Sequence, residues 1–170
     1  GSTILSIRAD DSRVATTDCP DCVFDSDSLA DALDYAVAKG AKVVNLSLGG
    51  DGPEGTRFEA ALARAVAAGT VVAVSSGNDG DPDPSWPARY AVDPRYAGSV
   101  VAVGALTQAG VMASYSNKAG VAANGYLAAP GDNIATECDS TGCAVVSGTS
   151  FSAPQVSGAL ALLLQAFPNL

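Results

Sequence analysis

Apolar and polar positions along the chain fall into two alternating periods. Residues 3–9 alternate and predict a strand, and residues 10–27 are polar and loop-like. Ser28 is expected to cap a helix in which Leu29, Ala32, Leu33, Ala36 and Val37 share a face, with Gly40 ending it. Residues 42–48 are a short apolar run and predict a buried strand, followed by a Gly-rich loop over 49–55. A second helix is expected over 56–68, with Gly69 at its C-terminal end. Further strands are expected over 70–75 and 99–105, with a Gly-, Asp- and Pro-rich loop over 77–86. Residues 112–116 and 128–130 read as shorter pieces. Residues 144–147 are β-like and lead towards an apolar helical run over 159–167. Strands alternating with helices at this spacing predict an α/β fold, a mostly parallel sheet with helices on both faces. No repeat or linker divides the chain, so one domain is expected.

Composition sharpens this picture. The 170 residues are 48% hydrophobic and 16% charged, with a formal net charge of −9. An acidic chain whose basic residues are scattered argues against nucleic acid and anionic membranes as partners. No apolar stretch reaches the roughly 18–20 residues of a membrane span. The cysteines form two close pairs, Cys19 with Cys22 and Cys138 with Cys143. Two local disulfides in an exported, secreted or cell-surface protein are the favoured reading; a four-thiolate metal site is the rival, disfavoured by the wide second spacing.

Three stretches could carry chemistry. In Gly148-Thr149-Ser150 a hydroxyl follows glycine where a helix begins, and Pro154 fits the first turn of that helix, where its missing N–H costs little. The free N–H groups and partial positive charge there suit an activated nucleophile, although a serine or threonine at this place is also an ordinary cap. Asn78, in the turn 75–80, is either a turn former or a polar group at the C-terminal edge of the sheet, where sites of α/β folds lie. Gly50, Gly52 and Gly55 make a formal Gly-x-Gly-x-x-Gly. There Asp51 and Glu54 would repel a pyrophosphate and Pro53 lacks a needed N–H, so a nucleotide-binding domain is rejected. The acidic loops around Asp79, Asp81 and Asp83, and around Asp10, Asp11 and Asp18, read as solvated, with structural calcium the alternative.

The string 148–158, Gly-Thr-Ser-Phe-Ser-Ala-Pro-Gln-Val-Ser-Gly, resembles the nucleophile motif of the subtilisin-like serine proteases, the subtilases or peptidase S8 family. It departs at Gln155, where that family usually has a histidine that is not the catalytic base. The resemblance implies that Ser150 attacks the peptide carbonyl and that Asn78, with the Ser150 N–H, holds the oxyanion. It further implies that Ser47, Leu48 and Gly49 pair with an extended peptide, and that Ser75, Ser76, Gly77 and Thr149 contact substrate. Trp86-Pro87 resembles a stretch that often holds a cis peptide, and residues 129–134 resemble the segment before the nucleophile strand. Residues 158–170 look like those of bacterial exported subtilases, some attached to autotransporters.

The chain contains no histidine. In the subtilisin order of Asp, His and Ser, only the Ser is present. Residues 3–9 resemble the family strand that follows the His-bearing helix, so the expectation is a partial peptidase domain, cut at both ends, whose triad Asp and His precede Gly1. One missing strand would lie between residues 3–9 and residues 42–48, and open edges recruit other chains. The expected partners are therefore a polypeptide substrate and either the N-terminal part of the same domain or another copy of the chain. The expected function is a serine endopeptidase, inactive or nearly so as this chain alone and requiring no cofactor. The alternative is a non-catalytic peptide-binding or assembly module.

Overall fold

A computed structural model describes residues 2–10, 23–140 and 142–168. Four parallel strands form the central sheet: β1 (Val43–Leu46), β2 (Val71–Ser75), β3 (Val100–Leu106) and β4 (Tyr126–Pro130), in the order β1-β2-β3-β4. The register sets Val44 beside Val72, Ala73 beside Val101 and Val103 beside Leu127. The inner strands β2 and β3 are rich in valine and covered on both faces, as parallel strands generally are.

Side chains of β2 and β3 alternate between two cores. On one face α1 (Ser26–Ala38) and α2 (Gly55–Ala67) bury Leu33, Phe58 and Leu62 against Val72, Val74 and Val100. Tyr90 stands at the centre of an aromatic cluster there, 4.7 Å from Trp86 and 5.6 Å from Tyr96 between ring centroids. Such edge-on pairs add about 0.5–1.5 kcal/mol each beyond their buried area. On the other face α3 (Thr149–Ala166) packs Ala153 and Val156 on Ala73, Val103 and Ala129. The sheet thus carries helices on both faces, as the periodicity predicts.

A separate antiparallel hairpin joins β5 (Ile134–Asp139) to β6 (Gly142–Val146), and the Cys138–Cys143 disulfide ties its tip. A zinc site using all four thiolates is therefore excluded. Cys19 and Cys22, like Asp11 and Asp18, lie outside the described residues. Among the described residues no three acidic, cysteine or histidine side chains converge to hold a metal, and no helix is long and apolar enough to cross a membrane.

Three expectations are corrected. Residues 3–9 form no strand, because no described neighbour supplies a ladder of hydrogen bonds; Ile4 is 91% exposed. They are not paired with β1, which lies at the edge of the sheet. The N-cap of α1 is Asp25 rather than Ser28. The Asp25 carboxylate accepts the N–H groups of Asp27 and Ser28 at 3.0 and 2.9 Å, and Ser28 Oγ donates back to it. Finally, α3 starts at Thr149, so Pro154 falls in its second turn rather than its first.

Candidate active site

The C-terminal ends of β1 and β2 and the N-terminus of α3 meet at one edge of the sheet. The turn after β2 is left-handed at Gly77 (φ 107°), a conformation that strains any residue with a Cβ. A Cβ there would also collide with the Asn117 side-chain amide. Asn117 is buried and holds the turn from below: its Oδ1 accepts the N–H groups of Asp79 and Asp81 at 2.9 and 3.1 Å, and its own N–H donates to the Gly77 carbonyl at 3.0 Å.

The turn presents Asn78 to α3. Asn78 Oδ1 accepts the Thr149 N–H at 2.8 Å and the Thr149 hydroxyl at 2.9 Å. With the amide oxygen engaged twice, the Asn78 Nδ2 remains a donor with no partner among the described residues. The Ser150 N–H, in the first turn of α3, likewise precedes the first intrahelical acceptor. Asn78 and Ser150 line the same groove, where an anion would also meet the positive end of the helix.

Pro154 shapes this turn. Its nitrogen cannot donate, so the Ser150 carbonyl four residues earlier lacks its helical partner. Ser47, just after β1, fills that place: its Oγ donates to the Ser150 carbonyl at 2.8 Å. Asn45 Nδ2 in turn donates to Ser47 Oγ at 3.0 Å, and Ser157 Oγ donates to Asn45 Oδ1 at 3.2 Å. A polar chain thus runs from α3 through β1 and back to the Ser150 turn.

The approach from β6 is equally constrained. The Gly148 N–H donates to the Gly131 carbonyl at 2.8 Å. A Cβ on Gly131 would collide with Ser152 Oγ and come within 2.7 Å of Ala105 Cβ. Burial pushes the Tyr115 phenol above its ordinary pKa range, so it stays protonated and donates to the same Gly131 carbonyl at 2.8 Å. At the departing position, Gln155 Nε2 donates to the carbonyls of Pro130 and Phe151 at 2.7 and 2.8 Å.

A groove of about 320 Å³ opens beside Ser150 and Asn78. Of the residues that the resemblance assigns to substrate, Leu48, Gly49, Ser75, Gly77 and Thr149 line it. Ser47 and Ser76 do not: Ser47 is turned to the Ser150 carbonyl, and the buried Ser76 donates its hydroxyl to the Asn117 carbonyl at 3.1 Å. Four further residues line it that no site motif singles out, namely Gly50, Asp51, Asp79 and Ser85. Ser85 carries no motif; its N–H and hydroxyl both donate to the Ser76 carbonyl, at 2.8 and 3.1 Å, and the next residue, Trp86, pairs with Gly50, whose N–H and carbonyl bond it at 2.8 and 3.0 Å. The Trp86–Pro87 peptide is cis, as the resemblance implies. Asn117 also went unread, since one asparagine in a polar run gives no sign that it will be buried.

Comparison with known proteins accords with this geometry. The model of the subtilase family matches residues 4–170. Subtilisin BL of Lederbergia lenta is 37% identical over 142 residues, 84% of this chain and 49% of that protein. The major intracellular serine protease of Bacillus subtilis is 35% identical over 144 residues, 79% of this chain and 40% of its own length. Among solved structures, the prenylagaramide maturation protease PagA superposes with a TM-score of 0.72 at 31% identity, covering 85% of this chain and 50% of that one. The chain spans about half the length of the relatives it matches. The parallel sheet, the Ser150 turn against Asn78 and the match over residues 4–170 together place this chain in the subtilase family.

Proposed function

We propose that this chain carries the nucleophile, oxyanion site and substrate groove of a serine endopeptidase. Ser150 Oγ attacks the carbonyl of a bound peptide, and the Asn78 amide and Ser150 N–H stabilise the negative oxygen that forms. The peptide lies along the backbone after β1, and the side chain before the cut enters the groove between Gly49 and Gly77. The observation that carries this reading is the pair of bonds from Thr149 to Asn78 Oδ1, which aims Nδ2 and the Ser150 turn at one place.

Ser150 needs a base, and no histidine in these 170 residues supplies one. The base and its carboxylate partner come from polypeptide outside them, in the same protein or a second chain. By itself the chain is expected to hydrolyse little, apart from the weak residual effect of an oxyanion site. The disulfide accords with export to an oxidising compartment.

The test is intact-mass analysis after incubation with a fluorophosphonate, with Ser150→Ala alongside. An adduct on Ser150 when an Asp- and His-bearing segment is added, and none without it, is the expected result. Labelling elsewhere, or equal labelling of Ser150→Ala, would remove Ser150 from the mechanism. Absence of any adduct in the completed protein, with peptide still bound, would make the chain a peptide-binding module.

A further inference from the structure

The groove has a charge that the peptidase reading does not use. Asp51 and Asp79 line it on opposite loops, one after β1 and one after β2, and both are exposed. No lysine or arginine lines it, and Leu48 is its one large apolar side chain. The rest of the wall is glycine backbone and hydroxyls.

The described arginines are each matched by acidic side chains outside the groove. Arg8 pairs with Asp10, Arg57 with Asp27 and Asp31, Arg64 with Asp34, Arg89 with Asp83, and Arg95 with Glu59 and Asp93. Every described arginine is therefore engaged away from the groove. Lys118, held against the Asp79 loop, gives its ammonium to the Gly80 carbonyl at 3.1 Å. Among the described residues no cation lies within ion-pair distance of Asp51 or Asp79. Two carboxylates with no cation beside them on the wall of one groove attract a cation that enters it.

We propose that the groove selects a lysine or arginine side chain at the residue before the cut, with Asp51 and Asp79 receiving the charged head. The long methylene stem lies along Leu48 and the glycine walls, while the head remains near the open rim, where its water is only partly removed. An acidic side chain is excluded by repulsion. This proposal rests on the peptidase reading, which makes the groove the seat of that side chain.

The experiment is peptide binding to the full chain, which requires no triad. Acetylated tetrapeptides that differ only in a C-terminal amidated arginine, citrulline, leucine or glutamate are titrated, and the fluorescence of Trp86, the sole tryptophan, is followed. The arginine peptide should bind about tenfold more tightly than citrulline at low salt, and the glutamate peptide most weakly. The preference should shrink at about 0.5 M salt. In Asp51→Asn/Asp79→Asn, checked for folding by circular dichroism, arginine and citrulline should bind within about twofold of each other. Each single variant should fall between, which keeps the test open should the double variant unfold. Equal binding of arginine and citrulline, tighter binding of leucine, or a preference that survives the double substitution would overturn the selectivity while leaving the groove a peptide site. Failure of every peptide to bind would instead overturn the peptidase reading of the groove, and the selectivity with it.

Discussion

The two faces of the sheet are packed by opposite means. The α1/α2 face is filled with bulk: Phe58, Leu33, Leu62, Tyr90 and Tyr96 are almost wholly buried. The α3 face is filled with small residues, chiefly Ala73, Ala153 and Ala129 with Val103 and Val156, and α3 leaves Leu162 at 66% exposure, with Phe167 just beyond its end at 58%. Bulk on the first face supplies transfer free energy. Small residues on the second let the helix backbone approach the strand ends, which is what brings Thr149 to Asn78. Stability and site geometry are thus concentrated on different sides of one sheet.

The strongest way to test that division is Phe58→Ala. Emptying the bulky face should cost about 3–5 kcal/mol in urea unfolding. In the molecules that remain folded, the amide resonances of Gly77 to Asp79 should stay where they are. Movement of those resonances would mean that the faces are not independent.

Asn117→Ala comes next, since it leaves the Asp79 and Asp81 N–H groups without their acceptor. A loss of roughly 1–3 kcal/mol is expected, with weakened peptide binding; a loss of stability with unchanged binding would separate the turn from the groove. Gly131→Ala should cost a similar 1–3 kcal/mol through overpacking. Unlike Phe58→Ala, it should shift the Thr149 amide resonance, because it pushes directly on Ser152 and Ala105.

Ser47→Ala removes the hydroxyl that replaces the missing proline donor. The expected cost is about 1 kcal/mol, with faster hydrogen exchange at the Ser150 turn. Unchanged exchange there would show that the Ser47 bond does not hold the turn.

The smallest effect concerns pH. A hydrogen bond from Arg64 holds the Asp34 carboxyl below its ordinary range, and one from Arg95 does the same for Asp93. A depressed carboxylate contributes stability above its unfolded pKa and loses it as pH falls through the folded value. Both pairs are solvent-exposed and therefore screened. The urea midpoint should fall slightly between pH 6 and pH 3, and Asp34→Asn should make that fall shallower. An unchanged slope in Asp34→Asn would mean that the pair contributes nothing.

The parts legible in the sequence are those that local chemistry decides. β2 and β3 follow from valine runs, and the ends of α1 and α2 from Gly40 and Gly69, both left-handed at φ 77° and 73°. Ser150 and Asn78 were visible because each sits in a distinctive string. What stayed hidden depends on long-range closure. Residues 3–9 have the alternation of a strand but no partner to make them one. Asn117 and Ser85 became part of the site only through contacts with Gly77, Gly49 and Ser76. The cap of α1 was misplaced because Asp25 and Ser28 share one local network, in which the carboxylate takes the helix N–H groups.

The hydrogen bonds that shape the Ser150 turn join residues far apart in the chain: Ser47 and Ser150 are 103 positions apart, Thr149 and Asn78 are 71, and Ser157 and Asn45 are 112. Helix formation can set the register of α3, but it cannot give the Ser150 carbonyl its partner, because the proline removed the local one. The Ser150 turn is therefore among the last parts of the chain to acquire its shape during folding. A chain still emerging or partly collapsed carries the serine without the bonds that shape its turn, so the geometry around Ser150 is coupled to completion of the fold.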